Sequence, residues 1–372
     1  MSRTTTALVA PELNGSFELR EIYLDALQAD EVLVEIHASG LCHTDLSCAE
    51  GLLPCQPNAV LGHEGAGVVI EAGSAVTSVA PGDKVLLSFS HCETCAACTS
   101  GHPAYCHTFN DRNFGGARPD GSSAMLTSKE NGSPMHSTFF GQSSFARHTL
   151  AHRSSVVKVP ADTDLGLFAP LGCGMQTGAG AVLNTLDVKP GSSVAVFGVG
   201  SVGMAAVMAA AKIRGVKTLI AVDLQEGRLA LAKELGATHS VLGSAKDVVQ
   251  QIRAICQANG VNYAVDCTGV PAVVRTMIDS LGTRGRAATV GAPGPGHCVN
   301  VDIMEHLTYG KEYVGCAEGD SLPSKFVPYL MAAHAKGQFP LDRFVRYYDM
   351  KDYKQAIEDS KSGKTIKAVL RW

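Results

Sequence analysis

The distribution of apolar positions changes character near residue 174. From there to about residue 316, short apolar runs alternate with stretches of helical period. Val194–Phe197 precedes a helix from about Val202, Thr218–Val222 precedes the amphipathic Glu226–Leu235, and Tyr263–Val265 precedes Val273–Leu281. Ala287–Val290 and Tyr313–Val314 complete the series. Such alternation predicts βαβ units on a parallel sheet, because a strand buried on both faces reads as a continuous apolar run. Upstream, shorter β-like runs such as Glu31–Ile36 and Gly67–Ile70 are broken by Gly, Pro and Asp turns. Residues 107–137 are rich in Asn, Gly, Ser and Asp and predict a long surface excursion. From about Ala317 the alternation stops, and the tail is expected to rejoin the first domain.

The uncharged run Val194–Ala211 reaches the length of a short membrane span. Gly198, Gly200, Ser201 and Gly203 near its middle instead predict a buried strand, a turn and a helix start. No internal repeat or low-complexity tract interrupts the chain.

Length and charge narrow the picture further. A chain of 372 residues predicts two domains and ample core. Its net charge of −4 offers no basic excess for nucleic acid. Twelve cysteines would suggest disulfides in a short secreted chain, but Met1–Thr6 lacks the apolar core of a signal peptide. A reducing cytoplasm is expected, with neither membrane nor nucleic acid as partner.

Two kinds of motif carry chemistry. Gly198-Val-Gly-Ser-Val202-Gly203 is a G-x-G-x-x-G that follows a strand-like run and opens a helix. Its glycines permit a tight turn and close approach of backbone to pyrophosphate, while the helix N-terminus offers unpaired N–H groups. Asp223 lies 20 residues past Gly203, at the end of the next strand, where a carboxylate can bind a ribose. That carboxylate would also oppose a 2′-phosphate, so NAD is favoured over NADP. Arg228 could compensate such a phosphate or lie along the adenosine of NAD.

Cys92, Cys95, Cys98 and Cys106 form C-x2-C-x2-C-x7-C. Four thiolates at this spacing suit a closed tetrahedral zinc site. An iron–sulfur cluster is the competing reading, but Cys106 precedes a histidine and comes later than the usual fourth ligand. Cys42, His63 and Cys173 are more dispersed. Two cysteines and a histidine would leave the fourth position of a zinc ion open, an arrangement known from alcohol dehydrogenase. Spacing alone cannot bring position 173 to positions 42 and 63.

Gly40-Leu-Cys-His-Thr-Asp45, Gly62-His-Glu-Gly-Ala-Gly67, Pro81-Gly-Asp-Lys-Val85, the four-cysteine loop, Phe140-Gly-Gln-Ser-Ser-Phe145 and Cys173-Gly-Met-Gln-Thr-Gly178 occur in an order that resembles the zinc-dependent medium-chain alcohol dehydrogenases along nearly the whole chain. The resemblance implies an α/β protein: a Rossmann-fold coenzyme domain with a doubly wound parallel sheet (174–316), inserted into a β-rich GroES-like catalytic domain (1–173 and 317–372). It implies two zinc ions per subunit, one on Cys42, His63 and Cys173 and one on the four-cysteine loop. Glu64 would stand behind the first metal and Asp45 would orient His63. His43 and Lys367 would approach the cofactor pyrophosphate, and backbone around Val290 and Ala317 would hold the nicotinamide carboxamide. Thr44 would take the proton of a zinc-polarised alcohol as hydride passes to NAD.

Glu318-Gly-Asp-Ser321 and Asn113-Phe-Gly-Gly-Ala-Arg-Pro-Asp-Gly-Ser122 resemble the aryl-alcohol (benzyl alcohol) branch. Phe89, Phe139 and Phe140 match positions around the substrate, although plain core packing would also explain them. A glutathione-dependent formaldehyde dehydrogenase and a non-catalytic nucleotide sensor are the alternatives. A homodimer or homotetramer is implied by family likeness alone. One departure stands out: many relatives carry a histidine three residues after the hydroxyl residue, and this chain has Ser47.

Overall fold

Strand formation in the first half follows from alternation closed off by turn residues. The computed structural model describes residues 3–372. They divide into two units, one of residues up to Cys173 with Leu322–Tyr329 and Leu341–Trp372, the other of Gly174–Ser321 with Leu330–Pro340. The chain thus returns to the first unit at Leu322 instead of Ala317, and residues 330–340 belong to the second.

In the first unit, strand Glu31–Gly40 is the hub of a seven-stranded sheet. It pairs antiparallel with Gly65–Ala72, His148–His152 and Lys367–Arg371. Val32, Val34 and Ile36 are fully buried and pack with Val69, Val85 and Leu87. Alternation puts these side chains on one face, and the apolar area they remove from water stabilises the sheet at roughly 25 cal/mol per Å². A second, four-stranded sheet contains Arg3–Ala10 and Glu18–Leu24.

The expected surface excursion holds for parts such as Pro119–Gly121 and Lys129–Asn131, which are exposed, but not throughout. Residues Phe109–Phe114 form a short helix, Asn113 is fully buried and Arg118 is only 4% exposed. The Arg118 guanidinium donates to Glu31 at 2.7 and 3.0 Å and to Asp25 at 2.6 Å. A polar stretch can be buried when each charge meets a partner, and composition does not reveal the partner.

The second unit is the expected parallel sheet. We label its strands β1 (Ser193–Phe197), β2 (Thr218–Asp223), β3 (His239–Leu242), β4 (Val261–Asp266), β5 (Leu281–Thr289) and β6 (Glu312–Gly315). Their spatial order is 3-2-1-4-5-6, all neighbours parallel. That is the doubly wound order, with its switch point beside β1. The run that reached membrane-span length is β1, the glycine turn and helix Ser201–Met208. Among the described residues, no helix is long and apolar enough to cross a membrane. Strand β3, four residues with one buried position, went unpredicted, as did helix Val248–Ile255.

Candidate functional site

Strand Glu31–Gly40 ends where helix His43–Ala49 begins, and Cys42 sits at the helix N-cap. Asp45, fully buried in the first turn, ties two segments together. Its Oδ2 accepts from Cys42 N–H at 2.9 Å, and its Oδ1 accepts from Gly62 N–H at 3.0 Å. His63 Nδ1 lies 2.9 Å from the same Oδ1. As donor to that carboxylate, Nδ1 carries the ring proton and leaves the Nε2 lone pair to face inward. Gln142, also fully buried, donates to His63 O and Ser88 O at 2.9 Å each and accepts from Gly65 N–H at 3.0 Å. Cys173 follows the turn Ala169–Gly172, whose Gly172 carbonyl accepts from Ser88 Oγ at 2.6 Å. A Cβ on Gly172 would lie 2.0 Å from Leu87 O, so only glycine lets this turn approach the sheet.

These contacts bring Cys42, His63, Glu64 and Cys173 together, with one ligand atom from each within 4.8 Å of the others. His63 Nε2 is buried without a hydrogen-bond partner. A buried nitrogen that lacks a partner is costly, and a metal ion would satisfy it. The donors fit zinc: two thiolates would balance a divalent charge, and one imidazole leaves a coordination position for substrate. The Cys42 thiol is held well below its usual range by its hydrogen bond with Cys173, against burial, with help from His63. Glu64 is paired with Lys367 at 2.7 Å, both side chains being essentially inaccessible. A Cβ on Gly40 would fall 1.9 Å from Glu64 Oε2, which explains a glycine at the end of the hub strand.

Lys367, expected near the cofactor pyrophosphate, is tied to the metal nest through Glu64. It is 1% exposed, and its ammonium donates to Glu64 and to Leu41 O at 3.1 Å. Burial disfavours its charge, but Glu64 together with the Cys42 and Cys173 thiols offsets this and its pKa is raised. His43 is exposed, and Thr44 Oγ1 lies 3.7 Å from Cys42 Sγ.

The four-cysteine loop forms a second nest. Cys92 and Cys98 sulfurs are 3.8 Å apart, and those of Cys95 and Cys98 are 3.6 Å apart. Zinc–sulfur bonds of ~2.3 Å in a tetrahedron give edges of roughly 3.8 Å. An iron–sulfur cluster would spread its four thiolates further, over several metal ions. Backbone N–H groups of Cys92, Cys95 and His107 donate to Cys106, Cys92 and Cys95 sulfurs at 3.3, 3.3 and 3.5 Å. Burial raises the Cys92 pKa, but the N–H groups of Thr94 and Cys95 bring it down to about 5.

Phe140 stacks on the His63 ring at 4.5 Å, and Phe139 meets it edge-on at 5.3 Å. Phe89, Phe139 and Phe140 are all buried. Sequence reasoning missed Phe109 and Phe114, which join this cluster through Phe89, Phe139 and Phe140.

In the second unit, Gly198 adopts φ +80°, and a Cβ on Gly203 would lie 2.0 Å from Gly198 O. Both positions therefore need glycine, one for the turn and one for helix–strand packing. Gly200 is the N-cap of helix Ser201–Met208, which includes Val202. Asp223 accepts from Val199 N–H at 2.8 Å and Gln225 N–H at 2.9 Å, so it also braces the glycine turn. Arg228 approaches Asp223 at 3.9 Å. Asp266, which sequence reasoning passed over, is fully buried at the end of β4. It accepts from Thr268 and Gly269 N–H at 3.0 Å and from the Thr268 and Thr289 hydroxyls at 2.6 Å. An acid followed by Cys-Thr-Gly at a strand end was the available signal.

The sheet order and glycine turn define a dinucleotide-binding protein, and two thiol-rich nests add metal to that description. Comparison with known proteins makes it specific. Residues 28–161 match the family described as "Alcohol dehydrogenase GroES-like domain", and residues 201–336 match "Zinc-binding dehydrogenase". Geraniol dehydrogenase of Castellaniella defragrans is 38% identical over 98% of this chain and 96% of its own. The crystal structure of benzyl alcohol dehydrogenase from Acinetobacter calcoaceticus is 41% identical, covers 99% of both chains and superposes with a TM-score of 0.94. An S-(hydroxymethyl)glutathione dehydrogenase of Paracoccus denitrificans is 33% identical over 98% of this chain and 99% of its own. The chain belongs to the zinc-dependent medium-chain alcohol dehydrogenase family. It is an oxidoreductase acting on alcohols, with zinc and NAD as its cofactors.

Proposed function

We propose that the protein interconverts primary aryl or allylic alcohols and their aldehydes, with NAD accepting or returning the hydride. The observation that carries this reading is the first-unit nest, where two thiols and an otherwise unpartnered imidazole nitrogen converge in a buried pocket. Full-length likeness to a geraniol and a benzyl alcohol dehydrogenase supports the substrate class. So does the aromatic cluster around His63, which suits flat, conjugated molecules.

Zinc held by Cys42, His63 and Cys173 would supply a Lewis acid that lowers the pKa of an alcohol hydroxyl. Asp45 fixes the His63 tautomer, and the Glu64–Lys367 pair keeps that side of the pocket neutral. Phe139 and Phe140 exclude water from the imidazole. Thr44 Oγ1 receives the hydroxyl proton and releases it toward solvent, without a protein base beyond it. Ser47, 5% exposed, cannot serve as one, since a serine is a poor base at neutral pH. The thiols of Cys92, Cys95, Cys98 and Cys106 would hold the second zinc, which shapes the loop leading to Phe109.

Absorbance of NADH with a panel of benzyl alcohol, geraniol, ethanol and S-(hydroxymethyl)glutathione tests this reading. Highest kcat/KM for the first two is expected. Preference for the glutathione adduct would move the protein to the formaldehyde branch, and NAD binding without turnover would make it a sensor. Asp223 sets the cofactor choice, and Asp223→Gly should narrow the preference for NAD over NADP by about tenfold or more, since ~1.4 kcal/mol is a factor of ten. Comparable wild-type efficiency with both cofactors would contradict that role.

Self-association through the second unit, as a homodimer or homotetramer, belongs to the same proposal. Ile303, Met304 and Leu307 are 80%, 65% and 73% exposed on the helix that leads into edge strand β6. Light scattering would give the assembly state. Twelve cysteines without a disulfide, six of them in the metal nests, suit a reducing compartment, and we place the protein in the cytoplasm.

A further inference from the structure

In an open parallel sheet, ligands bind across the carboxyl ends of the strands. The glycine turn after β1 receives the pyrophosphate, and Asp223 at the end of β2 marks the side on which the adenosine lies. The other half of a dinucleotide must then extend over β4, β5 and β6. That half therefore lies along the carboxyl ends of β4 to β6, the side of the sheet from which the segment after β6 emerges.

That segment has an unusual backbone. Glu318, Gly319 and Asp320 are consecutive left-handed residues, with φ of 46°, 69° and 45°. Two of them are not glycine, and such a run persists only when its surroundings over-determine it. The surroundings are one helical segment of the same unit, beginning with helix Gly174–Gly180 and continuing through Ala181–Thr185. A Cβ on Gly180 would lie 2.1 Å from Gly319 O, and one on Gly319 would lie 2.3 Å from Gln176 O. Ser321 Oγ donates to Gln176 Oε1 at 3.1 Å, and Thr185 Oγ1 to Cys316 Sγ at 3.1 Å. Asn184 Nδ2 reaches across to the turn itself, donating to Gly319 O at 2.9 Å and Asp320 O at 3.3 Å. The turn in turn fixes Ala317, whose carbonyl accepts from Asp320 N–H at 2.8 Å.

We propose that Asn184 is a positioning residue for the nicotinamide half of the cofactor: its side-chain amide locks the left-handed turn Glu318–Asp320 and thereby orients the backbone after β6 on which that half rests. The inference rests on the NAD reading above. It assigns Asn184 no contact with the reacting atoms. Asn184 is exposed, so its replacement should leave the fold intact.

The test compares NADH with ADP-ribose, which shares the adenosine and both phosphates but lacks nicotinamide. Calorimetric titration of the wild type, Asn184→Ala and Asn184→Asp is expected to show NADH binding weakened about three- to tenfold in both variants, the scale of one net hydrogen bond. ADP-ribose affinity should stay within about twofold, and bound-NADH fluorescence should shift toward that of free NADH. Gly180→Ala, which pushes on the same turn, should give the same selective loss where it folds. Unchanged NADH affinity in both Asn184 variants overturns the proposal. Equal losses for NADH and ADP-ribose overturn it as well, because they assign Asn184 a general structural role. A wild type that binds neither ligand would instead defeat the NAD reading itself.

Discussion

The two metal nests of the first unit solve the same problem by opposite means. Cys92, Cys95, Cys98 and Cys106 come from one short stretch, and three of them are only partly buried. Their thiolates are held by backbone N–H groups of the same loop. Cys42, His63 and Cys173 come from three distant segments, and side chains do the holding: Asp45, Gln142, Ser88 and the Glu64–Lys367 pair. A closed nest needs only spacing, whereas a nest with an open coordination position needs a scaffold that keeps its donors apart from the loop's own motions.

The largest expected effect separates the two by function. Cys173→Ser should reduce turnover by about 10³-fold or more with the fold retained, because it alters the donor set where the alcohol hydroxyl must be polarised. Cys95→Ser should act on stability or assembly instead, with a lowered thermal midpoint. Elemental analysis should find two zinc ions per wild-type subunit and one in each variant. One zinc in the wild type, or iron with visible absorption, would falsify the pairing of sites described here.

Next in size is the hydroxyl beside the buried nest. Thr44→Ala should lose about 10²–10⁴-fold in turnover, while Thr44→Ser keeps most activity. Ser47→Ala should be nearly silent. If Ser47→Ala costs as much as Thr44→Ala, then Ser47 is an essential relay and the direct release to solvent is wrong.

The smallest expected effect sharpens the contrast in support. Asp45→Asn keeps the shape but removes the carboxylate from His63, Gly62 and Cys42, and should cost about 10–100-fold in activity or zinc affinity at the buried site. The four-cysteine nest should keep its zinc, since none of its bonds involves Asp45. Zinc retention after dialysis against a chelator would check this, and equal loss from both nests would erase the distinction.

The same contrast explains what could be read from the chain alone. The βαβ pattern was legible because buried strands and amphipathic helices have different periods, and Glu226–Leu235 was read to its last residue. The four-cysteine nest was legible because its ligands are neighbours in sequence. Joining Cys173 to Cys42 and His63 needed family resemblance, since long-range pairing leaves no local trace. The pairing of Lys367 with Glu64 left no local trace either, since the two lie 303 residues apart. Arg118 and Asn113 looked like loop residues because polarity normally predicts exposure, and only their partners make burial tolerable.

The pairing of Lys367 with Glu64, and of strand Lys367–Arg371 with the hub strand, has a consequence for the order of synthesis. The second unit, Gly174–Ser321 with Leu330–Pro340, is fully synthesised by residue 340 and can fold as soon as it leaves the ribosome. The unit around the hub strand cannot, because the strand that pairs with Ala38–Gly40 is translated only after that entire insertion. Until then, the Glu64 carboxylate awaits the Lys367 counter-charge, and the Ala38–Gly40 end of the hub strand stands open to other chains. The nascent protein therefore passes through a period in which its coenzyme unit is complete and its metal pocket is not. A stalled ribosome or a stop codon just before Lys367 should yield aggregation-prone chains, even though such chains carry every cysteine ligand.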